Sequence, residues 1–442
     1  MTILPPLRRT LAAIATSCAL LLATLPAQAE VVFQDITSPK GIKAWLVEDY
    51  AVPIVTIRFA FEGGTTQDPI GKEGLTTLLT TLFDEGAGDL DSEAFQIALD
   101  DAGAEMGFAA DTDAFYGSMR MLADQRDEAV ALLKLAIEEP RFDQNPIDRM
   151  RAQLVTGINA AAQNPGTAAQ RQWATALYGD HPYARRSEGT LETLAGLTAQ
   201  DLRAMHTRLF ARQNLHVGIV GAIDAEAATA MLDTLFGTLP EQPDLTAIAD
   251  IAPRLGQDLR VDYDLPQTSI FMAYPSLERD DPDYLAAYLM TQILGGDTFG
   301  SRLTTEVRET RGLTYGITAA LNNMAHSQAL VISTATRADR AGETLDVIKQ
   351  VVADMAASGP TEDELAAAKK YLIGSYAINE LSSSSAIANT LVGLQLRDLG
   401  IDYIARRAEL INAVSVADIK AVAQKLLTAQ PAILQMGPQP AS

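Results

Sequence analysis

The 442-residue chain carries 34 Lys and Arg against 56 Asp and Glu, a formal net charge of -22. Such a surface repels nucleic acid and anionic lipid and favours neutral or cationic ligands. With 48% hydrophobic and 20% charged residues, long disorder is excluded, and the length asks for two or three domains rather than one core.

The N-terminus reads as a targeting segment. Arg8 and Arg9 precede an apolar stretch from Leu11 to about Leu25, and Ala27-Gln28-Ala29 gives the small-x-small site that a signal peptidase reads. Residues 1–29 are expected to be a signal peptide, because the apolar run is short of the roughly 20 residues of a membrane span. No later segment approaches that length. The expected destination is the periplasm or the exterior. Cleavage removes Cys18, the one cysteine, and with it any disulfide or thiolate site. It leaves 32 basic against 56 acidic residues, a balance of -24.

A strand is expected over residues 53–61, then a helical block over 72–85 and a shorter helix. A strand pair follows, 104–110 with 114–122, and then helices over 123–138 and 144–163. The segment Leu197–Phe210 opens on an N-cap hydroxyl, Thr198, with Asp201 in the first turn, and leads into an apolar strand over 215–221. Pro240 to about Pro253 is rich in prolines and acids and reads as an exposed linker.

Beyond the linker the same order recurs. A strand over 267–274 precedes a helical block over 280–295 and a shorter helix. Strands 314–322 and 326–335 precede helices 337–357 and 361–381. Val414–Leu427 repeats the capped pattern with Ser415 and Asp418, and it too leads into an apolar strand, 432–437. The expected fold class is α+β, with two tandem homologous domains, each a mainly antiparallel sheet packed with helices. Their expected bounds are 30–240 and 256–442, with a linker at 241–255.

Several motifs lie on this frame. Gly63-Gly64-Thr-Thr-Gln-Asp68 and Gly74-Leu75 stand before the first helical block. Leu177-Tyr-Gly-Asp-His-Pro-Tyr183, with Gly189, follows the long helix. The second half has Phe299-Gly-Ser-Arg-Leu303 and Arg308-Glu-Thr-Arg-Gly-Leu-Thr-Tyr315-Gly. Taken in order, these resemble the pitrilysin/insulinase family of inverted-zincin peptidases over essentially the whole mature chain. That family's chemistry needs His-x-x-Glu-His on a helix, with two imidazoles on one face for zinc and the glutamate beside them as base. A second glutamate on a later helix completes the ligands.

By this resemblance Thr77, Thr80 and Thr81 occupy the His, Glu and His places, and Gly157 falls where the distal glutamate is expected. A neutral hydroxyl is a poor zinc ligand and cannot replace a carboxylate base. No register restores the motif, because no histidine of the mature chain precedes His181 and the second half holds only His326. No metal is therefore expected in this chain.

The other candidates are weaker. His181, His206, His216 and His326 lack ligand-like spacing and read as structural. Asp111-Thr-Asp113 could be part of a Ca²⁺ loop but reads better as a turn between strands. Ser382–Ser385 reads as a helix junction or N-cap. Gly295-Gly296-Asp-Thr-Phe-Gly300 reads as a helix stop. Neither a Gly-x-Ser-x-Gly elbow nor a Ser-x-x-Lys pair occurs.

The resemblance implies that the halves form a clamshell. It also implies that Arg308 and Tyr315 reach into a partner's cleft and hold substrate backbone, as the matching residues of metal-free subunits do. A guanidinium fork and a phenol suit peptide carbonyls or an oxyanion. The expected function is the non-catalytic subunit of an exported heterodimeric zinc endopeptidase. Its expected partners are an active homologue, which carries the zinc, and a peptide or unfolded polypeptide substrate. The alternative is a peptide-binding or assembly module with no role in proteolysis.

Overall fold

The strands follow from alternation. In Ile54–Glu62, Val55, Ile57, Phe59 and Phe61 are buried on one face, while Arg58 and Glu62 point to the other. The computed structural model describes residues 32–263, 266–296 and 300–438. The expected signal peptide at 1–29 lies outside the described residues, as do Asp297, Thr298 and Phe299 of the second-half glycine loop.

The first sheet contains β1 (Phe33–Thr37), β2 (Lys43–Glu48), β3 (Ile54–Glu62), β6 (Glu105–Ala110), β7 (Ala114–Leu122) and β8 (Leu215–Gly221), in the order β1-β2-β8-β3-β7-β6. A small separate ladder joins β4 (Gly86–Ala87) to β5 (Leu90–Asp91). The second sheet has β9 (Asp258–Asp262), β10 (Gln267–Pro275), β11 (Thr314–Met324), β12 (Ser327–Arg337) and β13 (Ala432–Gly437), in the order β11-β12-β10-β13-β9. Read in reverse, this order repeats β2-β8-β3-β7-β6. One pair in each sheet is parallel, β2 with β8 and β13 with β9. The central strands β3 and β10 are antiparallel to both neighbours. The architecture is α+β.

Helices cover one face of each sheet. Around the first are α1 (Leu75–Thr80), α2 (Ser92–Asp101), α3 (Arg126–Glu138) and α4 (Gln144–Ala162). After α5 (Pro165–Tyr178), the same core takes α6 (Leu191–Gly196), α7 (Ala199–Leu209) and α8 (Ala225–Phe236). The second core takes α9 (Tyr284–Gly295), a π-helical turn at Thr304–Glu309, α10 (Ala341–Ser358) and α11 (Glu362–Glu380). After α12 (Ser384–Gln395), α13 (Tyr403–Ala413) and α14 (Val416–Leu427) complete it. The two equivalent helices α7 and α14 both start in capping boxes, Thr198 with Asp201 and Ser415 with Asp418.

Two helices cross over. In α5, Ala169, Trp173 and Leu177 pack on Ala273, Ala432, Leu434 and Met436 of the second sheet. In return α12 lies on β8 and β3 of the first sheet. Gly218 on β8 permits this approach: a Cβ there would sit 2.9 Å from the Ala388 carbonyl oxygen and 3.0 Å from Leu391 Cβ. The described residues from Gln34 onward accordingly form one compact unit.

Two expectations differ from what is found. The block expected at 72–85 is helical only over Leu75–Thr80. The Thr80 and Thr81 hydroxyls bond the carbonyls three residues back, at 2.8 Å each, and β-branched residues propagate a helix poorly. The shorter helix of the second half is a π-turn rather than an α-helix. The segment after Pro240 has no helix or strand, yet it is tied down, with Gln67 exchanging two hydrogen bonds with the Thr246 backbone at 2.8 and 3.0 Å.

Candidate functional site

Each of the three threonines at the place expected for the metal helix is locally committed. Thr77 Oγ1 donates to the Ser187 carbonyl at 2.5 Å, Thr80 Oγ1 to Thr77 O and Thr81 Oγ1 to Leu78 O. Gly157, on α4, has open space where a side chain would stand. Three neutral hydroxyls turned onto carbonyls and a glycine do not fit zinc, which wants deprotonated nitrogen, sulfur or carboxylate donors. Among the described residues, no group of three or more His, Cys, Asp or Glu is placed to hold a metal ion.

The scaffold around that place is intact. Asp68 caps α1, its carboxylate accepting from Gly74 N and Thr76 N at 2.9 Å each and from Thr76 Oγ1 at 2.6 Å. Burial nonetheless pushes the Asp68 carboxyl up to about 6, partly opposed by these bonds. The loop after α5 interlocks with the start of α1. Gly189 has φ +75°, and a Cβ there would lie 2.2 Å from the Glu73 carbonyl oxygen. Thr193 Oγ1 donates to that same carbonyl at 2.8 Å, and Arg185 to the Asp68 carbonyl at 3.1 Å. The two first-half motifs, far apart in sequence, are thus one packed unit.

Arg308 lies half-buried in the π-turn and Tyr315 opens β11. The β11–β12 register slips between Thr314 and Ile317, so Tyr315 and Gly316 form a bulge. Threonines pin it: Thr314 Oγ1 donates to Ala335 O at 2.7 Å, and Thr334 Oγ1 to Gly316 O at 2.8 Å. Tyr315 is 91% exposed on this rigid mount at the sheet edge.

The histidines are occupied structurally. His206 Nε2 lies 2.7 Å from Ile137 O, and burial lowers its pKa. His216 Nε2 is 2.8 Å from Glu62 Oε1. His181 Nε2 is 2.9 Å from Ala249 O, and His326 Nδ1 is 3.0 Å from Asp250 Oδ1. Asp111 and Asp113 sit in the β6–β7 turn, where Asp111 Oδ1 accepts from Asp113 N and Ala114 N at 2.8 Å each. Ser383 caps α12.

Sequence reasoning missed the seam at Tyr183. Its hydroxyl donates to Asp113 Oδ1 at 2.7 Å and accepts from His326 N at 2.9 Å, while Ala325 N donates to Asp113 Oδ2 at 3.0 Å. Burial and Asp113 raise the Tyr183 pKa, keeping the phenol a neutral donor. The tips of the β6–β7 and β11–β12 hairpins therefore meet on one phenol. The His-Pro-Tyr sequence at 181–183 was the available signal.

The fold is shared with known proteins. A family model described as the peptidase M16 inactive domain matches residues 196–372. The crystal structure of a peptidase M16 inactive domain from Pseudomonas fluorescens superposes with a TM-score of 0.86 at 31% identity, over 93% of this chain and 99% of that one. The non-peptidase homolog YmxG of Helicobacter pylori is 23% identical over 78% of this chain and 79% of its own length. An uncharacterized zinc protease of Mycobacterium tuberculosis is 28% identical over 77% and 78%.

Proposed function

The chain belongs to the peptidase M16 family, the pitrilysin/insulinase peptidases, and from that membership we propose that it serves as the non-catalytic subunit of an exported zinc endopeptidase. In this reading residues 30–240 and 256–442 are two peptidase-like domains, delivered to the periplasm or exterior by residues 1–29. An active homologue supplies the zinc. This chain supplies Arg308 and Tyr315 and part of the wall around the substrate polypeptide.

The observation that carries the reading is an imbalance within one molecule. The hydroxyls of Thr77, Thr80 and Thr81 are turned onto carbonyls, whereas Tyr315 is held out on a pinned bulge. A phenol that served only packing would be covered, because burying an aromatic ring is worth about 2 kcal/mol. The pinned backbone fixes where the phenol stands, and from there it can meet a substrate carbonyl.

The test reconstitutes the pair with an active family member and measures peptide turnover. Replacing Arg308 by Ala should lower kcat/KM by about 100-fold, as for removal of one transition-state donor. Unchanged turnover would favour the assembly-module alternative. Chelator-sensitive cleavage by this chain alone would end the non-catalytic reading. Among the described residues no helix is long and apolar enough to cross a membrane.

A further inference from the structure

Strand β12 turns two hydroxyls into the second core. Its core face carries Leu330, Ile332, Thr334 and Thr336, all buried. Strand β7 holds the same place in the first sheet, and both strands run through a 3₁₀ turn into the next helix, after Leu122 and after Arg337. Counted from those ends, Met119 and Met121 stand at the positions of Thr334 and Thr336, and Ala129 of α3 stands at that of Thr344 in α10. All three are buried and apolar. The shared fold thus accepts apolar side chains here, and burying a hydroxyl costs free energy unless it is bonded. The threonines answer to something that the second half alone has.

That feature is the bulge at Tyr315 and Gly316. In the first sheet β6 and β7 pair without a slip, from Glu105 opposite Arg120 to Ala110 opposite Phe115. In the second, Thr314 lies opposite Thr336 and Ile317 opposite Thr334, so the two residues between have no partner in the register. Threonine hydroxyls take the place of the ladder. Gly316 N donates to Thr314 Oγ1 at 3.1 Å, and Gly316 O accepts from Thr334 Oγ1 at 2.8 Å. Thr314 Oγ1 lies 2.9 Å from Thr334 Oγ1 and gives its own proton to Ala335 O at 2.7 Å. Both backbone groups of a glycine, the least restrained residue type, are therefore held by side chains.

Leu313 carries the hold across to Arg308. Its amide donates to Val307 O at 2.9 Å, and the Arg308 carbonyl accepts from Gly312 N at 2.9 Å. The Leu313 carbonyl accepts from Thr336 Oγ1 at 2.6 Å. Thr336 Oγ1 in turn lies 3.0 Å from Thr344 Oγ1 of α10. The backbone between Arg308 and Tyr315 is thus bonded to the π-turn at one end, to the bulge threonines at the other, and to β12 and α10 between them. Two groups that grip one substrate must keep their relative place to within about 0.5 Å for both bonds to form together.

We propose that Thr334 and Thr336 are positioning residues for Arg308 and Tyr315, an assignment that rests on reading those two as substrate-binding residues. Their hydroxyls fix the backbone from Leu313 to Gly316 and so set the spacing between the guanidinium and the phenol. The geometry of the pair is then decided by two buried side chains outside it, at positions where the first half has methionine.

The test has two arms. Amide hydrogen exchange on the full mature chain reads the mount without partner or substrate. Thr334→Val and Thr336→Val keep the branched shape and remove the hydroxyl. Each should speed exchange over residues 312–317 about tenfold, while thermal unfolding shows that the fold survives. Thr334→Ser and Thr336→Ser should keep the protection, and Thr314→Val should lose it from the opposite strand. The second arm is peptide turnover by the pair reconstituted with an active family member. There Thr334→Val should lower kcat/KM about tenfold, and should cost nothing further in a Tyr315→Phe background, because both act through one contact. Unchanged exchange in all three valine variants would overturn the proposal, and so would an equal loss of turnover with and without Tyr315. If exchange quickens while Arg308→Ala and Tyr315→Phe both leave turnover intact, the mount stands and the subunit reading falls.

Discussion

The two halves share a strand order but differ in what fills it. The first core is built on rings. Phe59, Phe61, Phe83, Phe115, Phe210 and Phe236 are fully buried and in mutual contact, with Phe83 stacked on Phe108 at 4.4 Å. The second core among the described residues is aliphatic and methionine-rich, with Met272, Leu289, Met290, Leu330 and Met355 at its centre. The helices at the matching position differ in the same way. In the first half α1 has six residues and starts under the buried carboxylate of Asp68. In the second half α9 has twelve, lacks a side-chain cap and is held by burial of its apolar residues. The geometry of α1 is set by Asp68, Gly189 and the loop carbonyls. This frame is a folding element in its own right.

If that is so, substitutions in the frame should cost far more than substitutions at the emptied ligand places. The largest effect is expected for Gly189→Ala, which adds a Cβ 2.2 Å from a carbonyl oxygen at a positive φ. Denaturant unfolding should show a loss of about 3 kcal/mol or more, and a loss below 1 would make the interlock incidental.

Asp68 gives the next effect. Its carboxyl is raised from an ordinary 3.8 to about 6, so the fold binds this proton more tightly than the unfolded chain does. Its contribution to stability is fully present below about 4 and is lost as pH rises through 6, a change of about 2–3 kcal/mol. Unfolding curves across that window should show the slope in the native chain and not in Asp68→Asn. An identical slope in both would assign it to other groups.

Tyr183→Phe removes both hydrogen bonds of the phenol hydroxyl and leaves Asp113 with one partner fewer. About 1–2 kcal/mol should be lost, and thermal unfolding of the variant with and without Asp113→Asn would show whether the two couple. The smallest effect is expected at Gly157, where a Cβ meets nothing within 4 Å. Gly157→Ala should leave stability unchanged or raise it by up to about 1 kcal/mol through helix propensity. A marked loss there would mean the emptied ligand place still has a structural role.

Much of this was legible in the sequence, because period-two alternation and capped apolar helices are local signals. Strands β3, β6, β7, β8, β10 and β13 and helices α4 and α11 fall within two residues of expectation. That the mature chain holds no His-x-x-Glu-His was legible from a count of histidines. The length of α1 was not, since its end is decided by hydroxyls that bond either solvent or their own carbonyls. The crossing of α5 and α12 was hidden too, because periodicity shows that a helix has an apolar face and not which sheet receives it.

The exchanged helices also constrain how the protein comes to be folded. Synthesis finishes the last strand of the first sheet at Gly221, but the helix that shelters its second face begins only at Ser384. During that interval that face lies open, as does the apolar side of α5 with Trp173 and Leu177, which waits for the second sheet, and contacts this distant in sequence close slowly. A nascent chain stalled before residue 384 is therefore a natural client for a holdase, and separate expression of either half should yield aggregates rather than a working fragment.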